Sequence, residues 1–139
     1  MVGVVVATHG RLAEELLACA QAITGPLPAV RGVGLDATAP LEAARQSLSD
    51  AIRAVEGGRG VVVLTDMLGG TPSNLALGFL AEGVEVVTGV NLPMILKLAT
   101  CRSGPEGAAE VARLLAAYGQ RNVALASDLL RAKRAGGPG

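Results

Sequence analysis

Two runs of β-branched residues, GVVVA at residues 3–7 and GVVVLTD at residues 60–66, constrain the fold more than any other feature. A continuous apolar run of this length is typical of a strand that is buried on both faces of a parallel sheet. Each run is followed by a helical pattern of apolar residues, which is the strand–helix alternation of an α/β fold. We therefore predict a single domain with a mainly parallel, doubly wound sheet.

Glycine and proline mark where the other elements begin and end. Gly25-Pro26 ends the first helical pattern, because glycine adopts a positive φ readily and proline cannot continue a helix. Thr71-Pro72 is interpreted as an N-cap followed by a proline in the first turn, and Gly119 is expected to close the last helix. Further strands are predicted at residues 29–35 and 84–89, and a shorter one at 122–126. Helices are predicted at residues 12–24, 38–56, 71–82 and 93–118, and the last of these is interrupted at 103–105.

Composition excludes several classes of protein. The 139 residues carry twelve acidic and twelve basic side chains, so nucleic acid is not an expected partner. No apolar run reaches the roughly 18 residues of a membrane span, so we expect a cytoplasmic protein without direct membrane insertion. Cys19 and Cys101 are isolated and have no metal-ligand spacing, so they are expected to be reduced, and neither a metal nor another cofactor is predicted. We place the domain at residues 1–133 and expect a disordered tail at 134–139.

Three polar side chains follow predicted strands at the edge where parallel sheets bind ligands. His9, the only histidine, ends the first strand, Asp66 ends the third, and Asn91 follows the fourth. His9 and Asp66 come within reach of each other if their strands are neighbours, which a right-handed crossover with the first strand inside the sheet would provide. The sequence order alone leaves that adjacency open.

A histidine paired with an aspartate has a defined chemistry. The carboxylate accepts the hydrogen of one ring nitrogen, which leaves the other nitrogen free as a nucleophile or base. A serine hydrolase would also need a strained GxSxG turn, which this sequence lacks. His9 could still be a strand-end residue that bonds a carbonyl, and Asp66 could cap a turn.

The segment LGGTPSN, residues 68–74, predicts an anion site. Its two glycines precede the free N–H groups of a helix N-terminus, and the hydroxyls of Thr71 and Ser73 lie close by. The segment lacks the lysine of a P-loop and the pattern of a dinucleotide-binding loop. Gly69 and Gly70 could also form a plain tight turn. A nucleophilic imidazole beside an anion site favours phosphoryl transfer to and from His9.

The THG that ends the first strand, the segment LTDMLGGTPSN and the segment GVNLPM at residues 89–94 together resemble one family. It is the enzyme IIA domain of the mannose/fructose/sorbose family of the bacterial phosphoenolpyruvate:sugar phosphotransferase system. The resemblance extends over nearly the whole chain in the order and length of its elements. Thr71 stands where members of that family often carry serine, which keeps the hydroxyl.

The resemblance implies a role for each motif. His9 corresponds to the phosphoryl-accepting histidine and Asp66 to its partner, while Gly69, Gly70 and Thr71 match the glycine pair and hydroxyl of the family. The amides between Gly70 and Ser73, with the hydroxyl of Thr8 or Thr71, would hold phosphoryl oxygens. Asn91 is a further possible contact.

The resemblance also implies the partners. The phosphoryl group would come from the phosphocarrier protein HPr and pass to a IIB domain. The chain would form a homodimer in which an antiparallel edge strand from the C-terminal region, residues 122–126, is exchanged between the two copies.

Three other functions compete with a sugar-transport component. A receiver domain phosphorylated on Asp66 is disfavoured, because the acidic pair that holds magnesium in receivers is replaced by Thr8-His9-Gly10. A phosphotransferase subunit of dihydroxyacetone kinase also uses a histidine after the first strand, but GGTPSN and GVNLPM fit the sugar system better. A regulatory phosphorelay protein without a transporter stays open, since phosphorylation would replace a neutral ring by a negative group.

Overall fold

The central feature is a four-stranded parallel sheet, seen in a computed structural model that describes residues 1–136. The strands are β1 (Gly3–His9), β2 (Val30–Leu35), β3 (Val61–Thr65) and β4 (Val84–Val87), and they lie in the order β2-β1-β3-β4. Because β1 lies between β2 and β3, Ala7 pairs with both Val33 and Thr65. The predicted α/β fold and parallel sheet are confirmed.

Six helices cover the two faces of the sheet in the described residues. They are α1 (Leu12–Thr24), α2 (Leu41–Val55), α3 (Thr71–Leu77), α4 (Leu92–Lys97), α5 (Ala108–Arg121) and α6 (Ala126–Ala135), with a 3-10 turn at Leu80–Glu82. Val4 and Val6 of β1 pack in the core with α1, α4 and α5, whereas Val5 and Ala7 pack with α2 and α3. This alternation explains why both faces of β1 are apolar.

Several predicted helix boundaries differ from the observed ones. Helix α2 begins at Leu41 rather than at residue 38, and the interruption between α4 and α5 covers residues 98–107 rather than 103–105. Gly119 does not close α5, which continues to Arg121. A Cβ at residue 119 would lie 2.5 Å from the sulfur of Met94, so this glycine permits the close approach of α5 to α4. The third helix ends at Leu77, and the chain then turns through the 3-10 segment to Gly83, whose φ of 76° is left-handed.

The C-terminal segment differs from the short strand expected at residues 122–126. In this single chain residues 122–125 form no strand, and α6 begins at Ala126. Val123 is 76% exposed, and a strand needs a neighbour to satisfy its backbone groups. Exchange of this segment between two copies therefore stays a prediction. Helix α6 runs two residues into the tail expected at 134–139, of which residues 137–139 lie outside the described residues.

Candidate functional site

The site is built around His9 at the carboxyl end of β1. Odd-numbered residues of this strand face α2 and α3, so the His9 ring lies on the same side as Ala7. Asp66 follows Thr65, the last residue of the neighbouring strand β3. The pairing of β1 with β3 therefore supplies the adjacency on which the predicted histidine–aspartate pair depends.

One carboxylate oxygen of Asp66 holds His9 at two points. Asp66 Oδ2 accepts the backbone N–H of His9 at 3.0 Å and lies 2.8 Å from the ring nitrogen Nδ1. An ionised carboxylate can only accept, so a neutral ring carries its hydrogen on Nδ1 and presents an unprotonated Nε2. The His9 side chain is 48% exposed and that of Asp66 is 14% exposed, so a partner can reach the ring.

The electrostatic setting of Asp66 favours its charged form. Burial raises the pKa of the carboxyl, but the hydrogen bonds from the ring and backbone of His9, with the charge of the ring, outweigh burial and leave the pKa below its ordinary value. The second oxygen, Oδ1, is buried and has no hydrogen-bond partner among the described residues. Within the described residues, the side-chain hydrogen bonds of Asp66 are therefore both made with His9.

Gly70 lies directly against the free edge of the imidazole. A Cβ at residue 70 would be 2.6 Å from Cε1 of His9 and 3.1 Å from Nε2, well inside van der Waals contact. Gly69 has a φ of +88°, a backbone conformation that favours glycine. The glycine pair therefore serves two separate purposes, a turn at Gly69 and room for the ring at Gly70.

The predicted hydroxyl groups are used in different ways. Gly70, not Thr71, is the N-cap of α3, and the exposed side chain of Thr71 lines the same cavity as His9. The buried Ser73 hydroxyl instead bonds Thr65 Oγ1 at 2.6 Å and the carbonyl of Met67. Ser73 therefore holds the loop between β3 and α3, while Thr71 remains available at the site.

Thr8 is placed on the opposite face of β1 from His9. Its buried Oγ1 accepts the Ala13 N–H at 2.7 Å and donates to the His9 carbonyl at 3.2 Å. These bonds anchor the first turn of α1 and occupy the hydroxyl. The geometry argues against the phosphoryl contact that the sequence suggested for Thr8.

Asn91 is engaged away from the imidazole. Its Oδ1 accepts the Met94 N–H at 3.1 Å, which caps α4, and its Nδ2 donates to the carbonyl of Gly119 at 3.1 Å. Asn91 lines a cavity between α4 and α5 rather than the one that contains His9. The structure thus brings together His9, Asp66, Gly70 and Thr71, and assigns Asn91 a structural position.

Sequence reasoning missed the wall of the site that the β2–α2 loop supplies. Leu35, at the end of β2, pairs with His9, so the loop that follows passes beside the imidazole. No motif marks these residues, since their proximity depends on the pairing of β2 with β1. A cavity of about 250 Å³ lies there, lined by His9, Leu35, Asp36, Ala37, Ala39, Leu41, Ala44 and Thr71.

A second missed feature is apolar exposure around the ring. Met67 and Leu68, which follow Asp66, are 54% and 72% exposed, and Leu41, which lines the cavity with His9, is also exposed. Two large apolar residues in a strand–helix loop were the available sequence signal. An exposed apolar surface of this kind is typical of protein–protein contact.

Fold and site together define a parallel α/β domain with a carboxylate-oriented, accessible histidine at the carboxyl edge of its sheet. Residues 3–115 match the family EIIA-man, described as PTS system fructose IIA component. The chain belongs to this family, and membership supports a phosphoryl-carrier role in the phosphotransferase system, which is a transferase function.

Individual relatives agree with this assignment. The chain is 27% identical over 124 residues to the mannose-specific EIIAB component of Escherichia coli, covering 88% of this chain but only 38% of that protein. It is 27% identical over 110 residues to the fructose-specific EIIA component of Bacillus subtilis, covering 73% of this chain and 71% of that one. The solved mannose/sorbose specific IIA subunit from Enterococcus faecalis superposes with a TM-score of 0.79 at 32% identity, over 89% of this chain and 93% of that chain.

Membrane-spanning helices and clustered metal ligands are both absent from the described part of the chain. No helix there has both the length and the apolar character required to span a membrane. Within residues 1–136, no group of three or more histidine, cysteine or acidic side chains is arranged to hold a metal ion.

Proposed function

We propose that His9 accepts a phosphoryl group from phosphorylated HPr on Nε2 and passes it to a IIB domain. The observation that carries the proposal is the 2.8 Å contact between Nδ1 and Asp66, which leaves Nε2 as the unprotonated nitrogen of a half-exposed ring. Family membership supports a phosphoryl-carrier role, and the donor and acceptor are part of the proposal.

The transfer balances without a net proton shift. In this proposal HPr also carries its phosphoryl group on a histidine. The Nε2 lone pair of neutral His9 attacks the phosphorus, and a P–N bond forms as the P–N bond to the donor imidazole breaks. The donor ring takes back the bonding electrons and leaves as a neutral imidazole. The hydrogen on Nδ1 of His9 stays in place, so the phosphorylated ring is positively charged and Asp66 stabilises that charge.

The surroundings of Nε2 have complementary roles in this proposal. Gly70 leaves space for the phosphoryl group beside the ring, and the hydroxyl and backbone N–H of Thr71 would donate to its oxygens. The apolar side chains of Met67 and Leu68 would contact the protein that delivers or receives the group. Both partners would therefore use the same surface in turn.

The proposed homodimer would form along β4, the edge strand farthest from β2 in the sheet. In the described residues β4 pairs with β3 alone, so its outer backbone groups are available to residues 122–126 of a second copy. The exposed Leu125, Leu129 and Leu130 would then be covered. Sedimentation of the full chain and of a chain that ends at Arg121 tests this proposal. The full chain should be a dimer and the shortened chain a monomer, and a monomeric full chain would contradict the dimer.

Intact mass spectrometry after incubation with phosphoenolpyruvate, enzyme I and HPr tests the carrier function. The full chain should gain one phosphoryl group only when HPr is present, and His9→Ala should gain none while unfolding at a similar temperature. The group should be acid-labile and base-stable, unlike an acyl phosphate. Folded wild type that stays unmodified while HPr is phosphorylated would refute the proposal.

A further inference from the structure

The cavity beside His9 contains a charge that the phosphoryl-transfer scheme does not use. Asp36 begins the loop between β2 and α2 and lines the cavity together with His9 and Thr71. The remaining side chains that line it are alanine or leucine. Asp36 is therefore the one acidic or basic residue besides His9 among the described residues that line this cavity, and Asp66 contacts the imidazole from outside the lining.

Local hydrogen bonds keep the Asp36 carboxylate in a defined position. Its Oδ1 accepts the backbone N–H of Thr38 at 2.9 Å and the hydroxyl of Thr38 at 2.8 Å, while the Asp36 carbonyl accepts the Ala39 N–H at 3.1 Å. The bonds from the Thr38 backbone and side chain lower the pKa of this carboxyl. Asp36 is consequently ionised whenever the protein works near neutral pH.

Neighbouring charges do not cancel this carboxylate. Arg45 on α2 lies 3.8 Å from Glu42 and also packs over the Phe79 ring. Arg11 beyond β1 pairs with Glu14 and Glu15. Arg45 and Arg11 are thus already paired with acids of their own.

We propose that Asp36 limits how firmly His9 holds its phosphoryl group, so that the group passes on readily to an acceptor. This inference rests on the proposed carrier function. Phosphorylation converts the neutral His9 side chain into a group of net charge about −1, with a dianionic phosphoryl at its exposed end. Repulsion from Asp36 disfavours that state and leaves the unmodified protein unaffected.

The strength of the repulsion depends on the distance between the Asp36 carboxylate and the phosphoryl group. Asp36 and His9 line the same cavity, and we take their charges to lie about 8 Å apart, the diameter of a sphere of the cavity's volume, which is within one Debye length at 0.1 M salt. Because the Asp36 side chain is exposed, the dielectric response is close to that of bulk water, and removal of its charge should raise the equilibrium constant for phosphorylation about threefold at low salt. The effect should disappear near 1 M salt, where the screening length is about 3 Å.

The experiment compares Asp36→Asn with wild type in an equilibrium mixture of the full chain, HPr and phosphorylated HPr. Asparagine keeps the oxygen that accepts from Thr38, so the loop should persist; Asp36→Ser is a second neutral variant that can accept the same N–H. Intact masses of all four species give the equilibrium constant. The ratio of the equilibrium constants of variant and wild type no longer depends on HPr, because its contribution is the same in both mixtures. An equilibrium constant is also independent of the rates at which the proteins dock.

Asp50→Asn is the matched control. It removes the same charge from an exposed position nine residues along α2 from Leu41, roughly 13 Å farther from the cavity, where Asp50 accepts only from Gln46. We expect a ratio of about three for Asp36→Asn and near one for Asp50→Asn at about 10 mM ionic strength, with both near one at 1 M.

The outcomes separate the two proposals. A wild type that HPr cannot phosphorylate overturns the carrier function and this inference with it. A phosphorylated wild type with an unchanged ratio for both neutral variants overturns the role of Asp36 alone. An equal shift for Asp50→Asn, or a shift that persists at 1 M salt, also overturns it, because neither fits repulsion across the cavity.

Discussion

Replacement of Gly70 by alanine should uncouple His9 from Asp66 while the fold survives. The backbone of Gly70 has φ −85° and ψ 169°, an extended conformation that alanine adopts without strain. The new methyl group, however, would lie 2.6 Å from Cε1 of His9, whereas carbon atoms in contact are about 3.5–4.0 Å apart. The ring must therefore move by about 1 Å.

The displacement of the ring determines how much the rate of phosphoryl transfer should fall. The Nδ1–Asp66 distance of 2.8 Å would increase to about 3.6 Å or more, at which no hydrogen bond remains. A misplacement of about 1 Å at a reacting group lowers rates about 100-fold, so we expect that loss for phosphoryl transfer to Gly70→Ala. The loss of stability should stay near or below 1 kcal/mol, since the change at an N-cap from glycine to alanine is modest.

Rapid-quench mixing with phosphorylated HPr, followed by intact mass spectrometry, measures the rate. Gly69→Ala is the control, because its Cβ would meet no atom within 4 Å but its φ of +88° is unfavourable for alanine. That variant should be destabilised by about 1–2 kcal/mol and keep its transfer rate within about threefold. A Gly70→Ala rate within threefold of wild type would show that the ring does not need this space.

Three further predictions concern stability. Because the pKa of Asp66 is lowered on folding, the carboxylate contributes its full stabilisation above the unfolded-state pKa near 4, and this contribution declines as the pH falls through the folded-state pKa. The free energy of unfolding in urea, measured from pH 7 to pH 3, should therefore depend less steeply on pH for Asp66→Asn than for wild type. An unchanged slope would contradict the pairing of Asp66 with His9. Thr8→Val should cost about 1–2 kcal/mol in denaturant unfolding, because the Ala13 N–H loses its acceptor, and should change the transfer rate less than threefold. Gly119→Ala should lower stability by about 1–3 kcal/mol through its clash with the Met94 sulfur; a thermal midpoint equal to that of wild type would contradict this packing.

The separate roles of the loop residues show where pattern reasoning succeeds and where it stops. Thr71 and Ser73 were both candidates for the anion site as two hydroxyls in one segment, and only the resemblance to a family favoured Thr71. The structure separates them, because Ser73 points inward to Thr65 and Thr71 faces the cavity. That difference depends on which face of a two-turn helix packs on the sheet, which spacing within LGGTPSN does not specify.

Asp36 marks the same limit at the site itself. It lies in an ordinary turn, and nothing in its neighbours along the chain relates it to His9. The relation arises when β2 pairs with β1 and places residue 35 beside residue 9. Charged residues that tune a site from a neighbouring strand are therefore not recognisable before the sheet order is known.

The sequence by itself determined the local elements of this protein. Runs of valine specify β1 and β3, since a β-branched run buried on both faces favours a parallel strand, and Gly25 and Gly83 stop their helical segments through positive φ. These effects act within a few residues, so they are readable from the chain alone.

Only the tertiary structure decided which of these elements meet. The order β2-β1-β3-β4 joins His9 to Asp66 across 57 positions, brings Gly70 against the ring and lets α5 approach Met94 at Gly119. The C-terminal segment, with no neighbour in the single chain, adopts a helix beyond residue 125. Such contacts depend on the packing of distant segments into one core, an energy that no local preference contains.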